Sequence, residues 1–375
     1  MTSGAVVPVG GRAVALSGAV IGLGLLGDTL IYAVLPLYHE EFGLSLAMVG
    51  VLLSLNRWVR LLANSAMAHL GERVGPRTLM VSAAVGAAVS TTCYGLDGGD
   101  ALQIAARMLW GFSFAALNLG SLAYAVADRA NAGKRVGTSR GIIGVTQATC
   151  FIAGGFLVLS VGPRNVFLIL GALTVLGLVA ALMLPHLPSE PSRQRGFRLP
   201  KPQRLEVWGF LLGFSGDGVF LLTLAFLLRD SVGSLSPIIA TTLVLSLRCF
   251  VEASGGPIGG WMSDRFGARR VASLIGTVLV LGYVLIACHV DLVGSIVIVL
   301  TRGLYNTLIP VMVMERVSGG YLSSQASYST WRDFGAAVGP LTAPWLFLTF
   351  TQSYLFAALA VIMALGVFFC LARRA

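Results

Sequence analysis

The sequence predicts an all-α membrane protein of twelve transmembrane helices, arranged as two pseudo-symmetric six-helix bundles. Three observations carry that expectation. The 375 residues are 56% hydrophobic and 11% charged, with a mean hydropathy of +0.84, whereas a soluble domain carries roughly 25% charged residues. The apolar residues fall in long blocks, and a block of about 20 residues is enough to cross the hydrocarbon core. Finally, Ala68–Arg77 (AHLGERVGPR) is echoed 192 residues later by Gly260–Arg269 (GWMSDRFGAR), each time between two apolar blocks. Both copies place an acid beside Arg, a Gly two residues on and an Arg two beyond that. Two copies of one membrane unit explain the repeat.

In chain order the blocks predict spans at 13–37, 45–70, 78–96, 101–127, 137–161 and 165–184, then 205–229, 235–261, 270–289, 290–314, 322–349 and 352–372. The first block is longer than a signal-peptide core and lacks a small-residue cleavage site, so it is expected to stay as a span. Short connections set most successive spans antiparallel. The exception is Pro185–Arg204 (PHLPSEPSRQRGFRLPKPQR), with five of the fourteen prolines. Proline lacks an N–H and resists helix continuation, so this stretch reads as an extended polar linker. The expected organisation is an N-terminal bundle over 1–184, a linker over 185–204 and a C-terminal bundle over 205–375.

Loop charge sets the orientation, because Lys and Arg accumulate on the cytoplasmic side. One side collects Arg12, Arg73, Arg77, Arg129, Lys134, Arg135, Arg140, the linker's five basic residues, Arg265, Arg269, Arg270, Arg316, Arg373 and Arg374, whereas the other has only Arg164 and Arg229. Both termini and the linker are thereby expected in the cytoplasm. The net charge of +10 is accounted for by the bilayer, with no nucleic-acid partner. Arg outnumbers Lys by 24 to 2, which points to a GC-rich prokaryote and hence to the bacterial inner membrane. The five cysteines sit singly and the four histidines do not cluster, so neither a disulfide framework, a metal site nor a cofactor is expected. With no nucleophile motif at membrane depth, an enzyme is not expected either.

Ten charges fall inside the spans: Arg57, Arg60, Arg107, Arg248, Arg302 and Arg332, with Asp28, Asp217, Glu252 and Asp333. Each costs roughly 2.5–3.5 kcal/mol at mid-membrane if it faces lipid, so they are expected to face a wet cavity or one another. At 1.5 Å per residue, Asp28 in span 1 and Arg107 in span 4 differ in height by about 4–5 Å. Asp217 in span 7 and Arg302 in span 10 repeat this. An Asp–Arg pair recurring in corresponding spans is either a structural tie or a titratable carboxylate coupled to a guanidinium, the proton-coupling reading. Arg57 and Arg60 are three residues apart and Arg248 and Glu252 four apart, so each pair shares a helix face. Arg332 and Asp333, being adjacent, are expected to point apart. Tyr32 lies one turn from Asp28, Tyr305 and Asn306 follow Arg302, and Trp110, Phe114 and Asn118 continue the Arg107 face. With Arg57, Arg60, Arg248, Glu252, Arg332 and Asp333 these form the expected substrate cavity. Small-residue runs at Gly18–Gly22, Ser254–Gly260 and Gly335–Pro344 mark close helix contacts.

On these residues the chain resembles the major facilitator superfamily of secondary transporters over essentially its whole length. The family signature between spans 2 and 3 is matched by Leu70, Glu72, Arg73, Gly75 and Arg77, with Ala68 for a Gly, Glu72 for an Asp and Pro76 for a base. The second copy keeps Asp264, Arg265, Gly267, Arg269 and Arg270. The resemblance implies that this turn is a cytoplasmic latch, closed through an acid at the end of span 4, here Asp128. The three departures imply a weaker latch than the family norm. Arg107, followed by Gly111, is similar to the span-4 motif of proton-coupled members. Span 5 has Cys150 and Phe151 where antiporters carry Gly-Pro, although Gly154 and Gly155 remain. That departure disfavours drug antiport.

The expected function is a proton-coupled transporter of a small organic solute, working as a monomer by alternating access. Six span arginines against four acids favour an anionic or zwitterionic substrate. A proton-driven multidrug efflux antiporter and a transport-incompetent sensor on the same fold are the alternatives.

Overall fold

A helix satisfies every backbone N–H and C=O within its own segment, and the hydrocarbon core offers no other partner, so each apolar block folds as a helix. The structure is a computed structural model, and it describes residues 10–127, 132–187, 201–229, 231, 233, 235–316 and 321–371. The helices run as α1 Gly11–Tyr38, α2 Leu46–Val74, α3 Pro76–Gly95, α4 Gly99–Val126, α5 Ala132–Val161 and α6 Pro163–Leu182. They continue as α7 Arg204–Arg229, α8 Pro237–Phe266, α9 Ala268–Ala287, α10 Asp291–Arg316, α11 Tyr321–Thr349 and α12 Gln352–Leu371. No strand occurs among the described residues. Among those residues, nine helices are long and apolar enough to cross a membrane, and the chain is a multi-pass membrane protein. Most of the linker, residues 188–200, lies outside the described residues.

Several helices outrun their apolar blocks at one end. α2 reaches Val74, α8 reaches Phe266 and α5 begins at Ala132. Glu72 and Arg73 therefore sit in the last turn of α2, and Asp264 and Arg265 in the last turn of α8. The repeated charged stretch is a charged helix end followed by a one-residue glycine turn, where the sequence suggested a loop. Charged residues are adequate helix formers, so only the backbone of the glycine stops them. Gly75 has φ +82° and Gly267 φ +83°, conformations that L side chains rarely adopt. Arg140, expected in a loop, lies within α5.

The face of the bundle bearing Gly75 and Gly267 is called proximal here, and the opposite face distal. On the distal face Arg164 pairs with Asp97 at 3.1 Å and donates to the carbonyl of Glu41. In the second half, Asp291 accepts from Ser231 (2.8 Å) and Gln352 (2.5 Å), joining the distal ends of α7, α10 and α12.

The two halves meet along α2 against α11 and α5 against α8. α1 is interrupted at Leu25. Its proximal half, Gly11–Gly24, packs mainly on α4, α5 and α6, whereas its distal half, Leu26–Tyr38, also reaches α7 and α8. The Gly18–Gly22 pair seats α1 on Ser139 and Thr146 of α5. Buried apolar residues echo this division. One core joins Leu30, Val34 and Leu35 of α1 to Leu224, Leu228 and Leu245 of the second half, while the proximal core around Val20, Met80, Trp110 and Tyr124 draws its described residues from the first half. Among the described residues, the buried apolar contacts that join the halves therefore lie distally.

Candidate functional site

Asp28 stands one turn past the interruption in α1, where the chain presents its carboxylate to α4 and α2. Arg107 of α4 is fully buried and donates from Nη1 to Asp28 Oδ1 at 2.6 Å. Its Nε donates to the Leu52 carbonyl of α2 at 2.9 Å, and Asn56 Nδ2 donates to Asp28 Oδ1 at 3.2 Å. Tyr94 and Tyr32 hold their rings 5.9 Å from the guanidinium carbon, a cation–π enclosure. One guanidinium therefore ties α1 and α4 to α2. Arg107 Nη2 has no partner among the described residues, and the Asp28 side chain keeps 14% exposure.

The second half repeats the arrangement with one change. α7 runs as a π-helix over Gly213–Phe220, and Asp217 lies inside it. π segments are often found at functional positions. Asp217 is 3% exposed and lies 2.5 Å from Arg302 Nη2 and 3.3 Å from Arg248 Nη2. Arg248 also donates from Nε to Glu252 Oε1 at 2.8 Å, the four-residue pairing the sequence suggested. Where Asp28 has one arginine and an asparagine amide, Asp217 has two arginines. The 192-residue offset places Asn56 on Arg248, so the difference falls at equivalent positions.

The third cluster crosses between the halves. Asp333 of α11 receives Arg57 Nη1 at 3.4 Å and Arg60 Nη2 at 3.2 Å, both from α2. Arg332 Nη2 lies 3.0 Å from Asp333 Oδ1, which corrects the expectation that these neighbours point apart. Long side chains curl back, so adjacent residues meet at their tips although their Cβ atoms diverge. Arg60 also lies over the ring of Phe114 at 4.3 Å. Arg57 is within electrostatic range of Asp217 as well as Asp333, and Arg332 of Asp217. Arg140 of α5, an exposed side chain, lies within electrostatic range of Arg332 and Glu252. Arg57 and Arg332 thereby connect the Asp333 cluster to Asp217, and Arg60 lies within the same range of Asp28.

Other expected residues fall elsewhere. Tyr305 is 1% exposed, donates to the Ala272 carbonyl and packs its ring on Trp208. Its place is inside the second bundle and not on the cavity, because α10 turns that face toward α7 and α9. Asn118 is half-buried and Tyr32 lies beside Arg107, while the side chain of Asn306 lies outside the described residues. Arg77 donates to the Leu182 carbonyl at 2.6 Å and to His186, so it closes the end of α6 within its own half. Arg265 stacks on Trp261 and Phe266. Arg73 and Arg269 are exposed and Glu72 half-buried. Asp128 and the Asp264 side chain lie outside the described residues.

Asn56, Tyr94 and Arg140 were not singled out from the sequence. Polar but uncharged, Asn56 and Tyr94 give no alarm in an apolar block, and Arg140 was hidden by lying near a helix end. The repeat offset carried the missing signal, because it places Arg140 on Arg332.

Comparison with known proteins bears on this geometry. The family description "Major Facilitator Superfamily" matches residues 18–241. An uncharacterized MFS-type transporter of Mycobacterium tuberculosis is 31% identical over 160 residues, covering 41% of this chain. The chain matches only about a quarter (25%) of that relative's length. Among solved structures, a D-xylose–proton symporter is similar with a TM-score of 0.77 at 14% identity, covering 96% of this chain and 98% of the other. The nucleoside transporter NupG is similar with a TM-score of 0.76 at 14% identity, covering 95% of this chain and 97% of the other. The match over more than half of the chain shows that it belongs to the major facilitator superfamily.

Proposed function

We propose that the chain is a secondary transporter carrying a small organic anion by alternating access, coupled to protons through Asp28. The observation that carries this reading is the central surplus of positive charge. Seven arginines (57, 60, 107, 140, 248, 302 and 332) accompany four acids (28, 217, 252 and 333), leaving a surplus of three positive charges in and around the three clusters. Charges at this depth are expensive unless used, and an anionic solute entering from the proximal side completes the balance. Residues 1–184 and 205–375 would rock as two units joined by 185–204, the motion expected of parallel six-span repeats. We place both termini in the cytoplasm of a bacterial inner membrane, on the loop-charge asymmetry. The whole site is built from one chain, so a monomer suffices.

Proton coupling has a direct route through α2. Arg107 and Asp28 hold α2 at Leu52 and Asn56, and the next residue, Arg57, is ion-paired to Asp333 of the other half. A proton on Asp28 removes the charge that fixes Arg107 and loosens the hold on α2 beside the inter-half contact. The kinship in fold with a protein named as a proton symporter supports this reading.

Flux into proteoliposomes under an imposed pH gradient tests it. Organic anions should compete for uptake, and lipophilic cations should not. Asp28→Asn should abolish gradient-driven accumulation while solute exchange continues, and Arg107→Ala should weaken both. Full proton-driven uptake in both variants would refute the coupling assignment.

A further inference from the structure

Asp333 is an acid placed where an anionic substrate would sit. Its carboxylate takes one terminal nitrogen each from Arg57, Arg60 and Arg332, at 3.4, 3.2 and 3.0 Å. The first two belong to α2 of one half and the third to α11 of the other. The fork remains incomplete, because Arg60 Nε and Arg332 Nε are buried without a partner among the described residues. Two contacts at 3.2 Å or more are also long for charge-assisted hydrogen bonds, which settle at about 2.7–2.9 Å. A free carboxylate with mobile oxygens would fit these arginines better than one tethered to the α11 backbone.

The same acid ends a seam. From the distal side toward the centre, Gly50 lies against Pro340 and Pro344, Ser54 donates to the Ala337 carbonyl, and Trp58 meets Phe334 edge-on at 5.5 Å. The Asp333 cluster is the charged clasp at the inner end of this α2–α11 seam, one of the two seams that close the halves distally. Breaking the clasp leaves the seam to its apolar and backbone contacts.

We propose that Asp333 is a built-in surrogate for the substrate's carboxylate: it occupies the arginine cluster in the empty carrier, clasps α2 to α11, and is displaced by the incoming organic anion. Displacement hands Arg57 and Arg60 to the substrate and leaves Asp333 with Arg332 alone, so binding loosens the distal seam. Arg140, exposed within electrostatic range of Arg332 and Glu252, adds positive charge that keeps the cluster attractive to an anion with Asp333 still present. This inference rests on the organic-anion reading above, and concerns which group holds the site when it is empty.

The test uses the full-length protein in lipid nanodiscs, with acetate, succinate and citrate as probes and their amides as uncharged controls at constant ionic strength. Spin labels at Leu96→Cys and Val290→Cys, two exposed distal positions, in a Cys288→Ser background, report the width of the distal opening. In the unsubstituted cluster a transported carboxylate should widen the distal distance, and its amide should not. Asp333→Asn should widen it without ligand and bind the carboxylate about tenfold tighter, the size of one charge-assisted hydrogen bond recovered from competition. Arg57→Ala combined with Arg60→Ala should widen the opening but lose carboxylate binding, which separates the clasp from the receptor. If Asp333→Asn binds the carboxylate more weakly, or its distal distance is unchanged, the surrogate role is overturned while the transport reading stands. If proteoliposomes of the wild-type chain take up none of the three carboxylates, the organic-anion reading fails and this inference fails with it.

Discussion

Asp28 and Asp217 occupy corresponding helices, face an arginine of corresponding helices, and yet differ in what they are suited to do. Asp217 is 3% exposed and held by Arg302 and Arg248. Replacing it leaves the buried Arg302 without a counter-charge and Arg248 with Glu252 alone, and breaking a buried pair costs about 3–5 kcal/mol. Asp28 is more open, and Arg107 keeps the Leu52 carbonyl and the Tyr94 hydroxyl when Asp28 is neutral. The Asp28→Asn substitution therefore costs less, about 1–3 kcal/mol. Thermal unfolding in detergent should rank Asp217→Asn well below Asp28→Asn. An equal loss in both would mean that the second arginine adds nothing at Asp217. Introducing the first-half amide, Arg248→Asn, should make Asp217 resemble Asp28 and give flux a second pH-dependent step, read from the slope of rate against pH.

At the scale of elements, the glycine turns decide more than the charges around them. Gly75 combines φ +82° with ψ 155°, and Gly267 φ +83° with ψ 131°. A Cβ strains such backbone by about 1–3 kcal/mol, so Gly75→Ala and Gly267→Ala should each lower the unfolding temperature without touching the central charges. Pro76, a departure from the family motif, is the first residue of α3. Proline there loses no hydrogen bond and has φ preset for the helix. Pro76→Arg should accordingly leave stability within about 1 kcal/mol of wild type, whatever it does to the conformational balance. These turns also show what was legible in advance. Apolar block length placed the helices, and shared helix depth paired Asp28 with Arg107 and Asp217 with Arg302, because height along a span is a one-dimensional property. Asp333 with Arg57 and Arg60 was not readable, since it depends on which helices of different halves touch. The π segment around Asp217 was hidden too. It depends on how Gly213, Gly216 and Gly218 let α7 press against α11 and Arg302, and a hydropathy pattern carries no such contact.

Over the whole molecule, alternating access requires that the distal seam be tight enough to close and weak enough to open. The α2–α11 seam meets both needs by using small groups where the backbones touch and a charged clasp at one end. At Gly50 an added Cβ would overlap the Pro340 carbonyl and come within 2.8 Å of Pro344 Cγ. Backbone and a proline ring cannot yield as a flexible side chain does, and overpacking of this kind typically costs about 1–3 kcal/mol. The cost falls only on the state in which the seam is closed. A bulky residue at Gly50 should therefore shift the carrier toward its distally open form rather than unfold it. A gap of about 1.4 kcal/mol changes the ratio of the two states tenfold. Ser54, buried in the seam with its hydroxyl on the Ala337 carbonyl, supplies the reporter. In a background lacking the native cysteines, Ser54→Cys should react slowly with a membrane-impermeant thiol reagent applied from the distal side. Adding Gly50→Leu should speed that reaction about tenfold, while Gly155→Leu, which meets Thr242 in the α5–α8 seam, should act in the same direction through the other contact. Unchanged reactivity in the Gly50→Leu variant would show that this seam is not what opens, and would leave the gate to the α5–α8 seam and to α1 against α7.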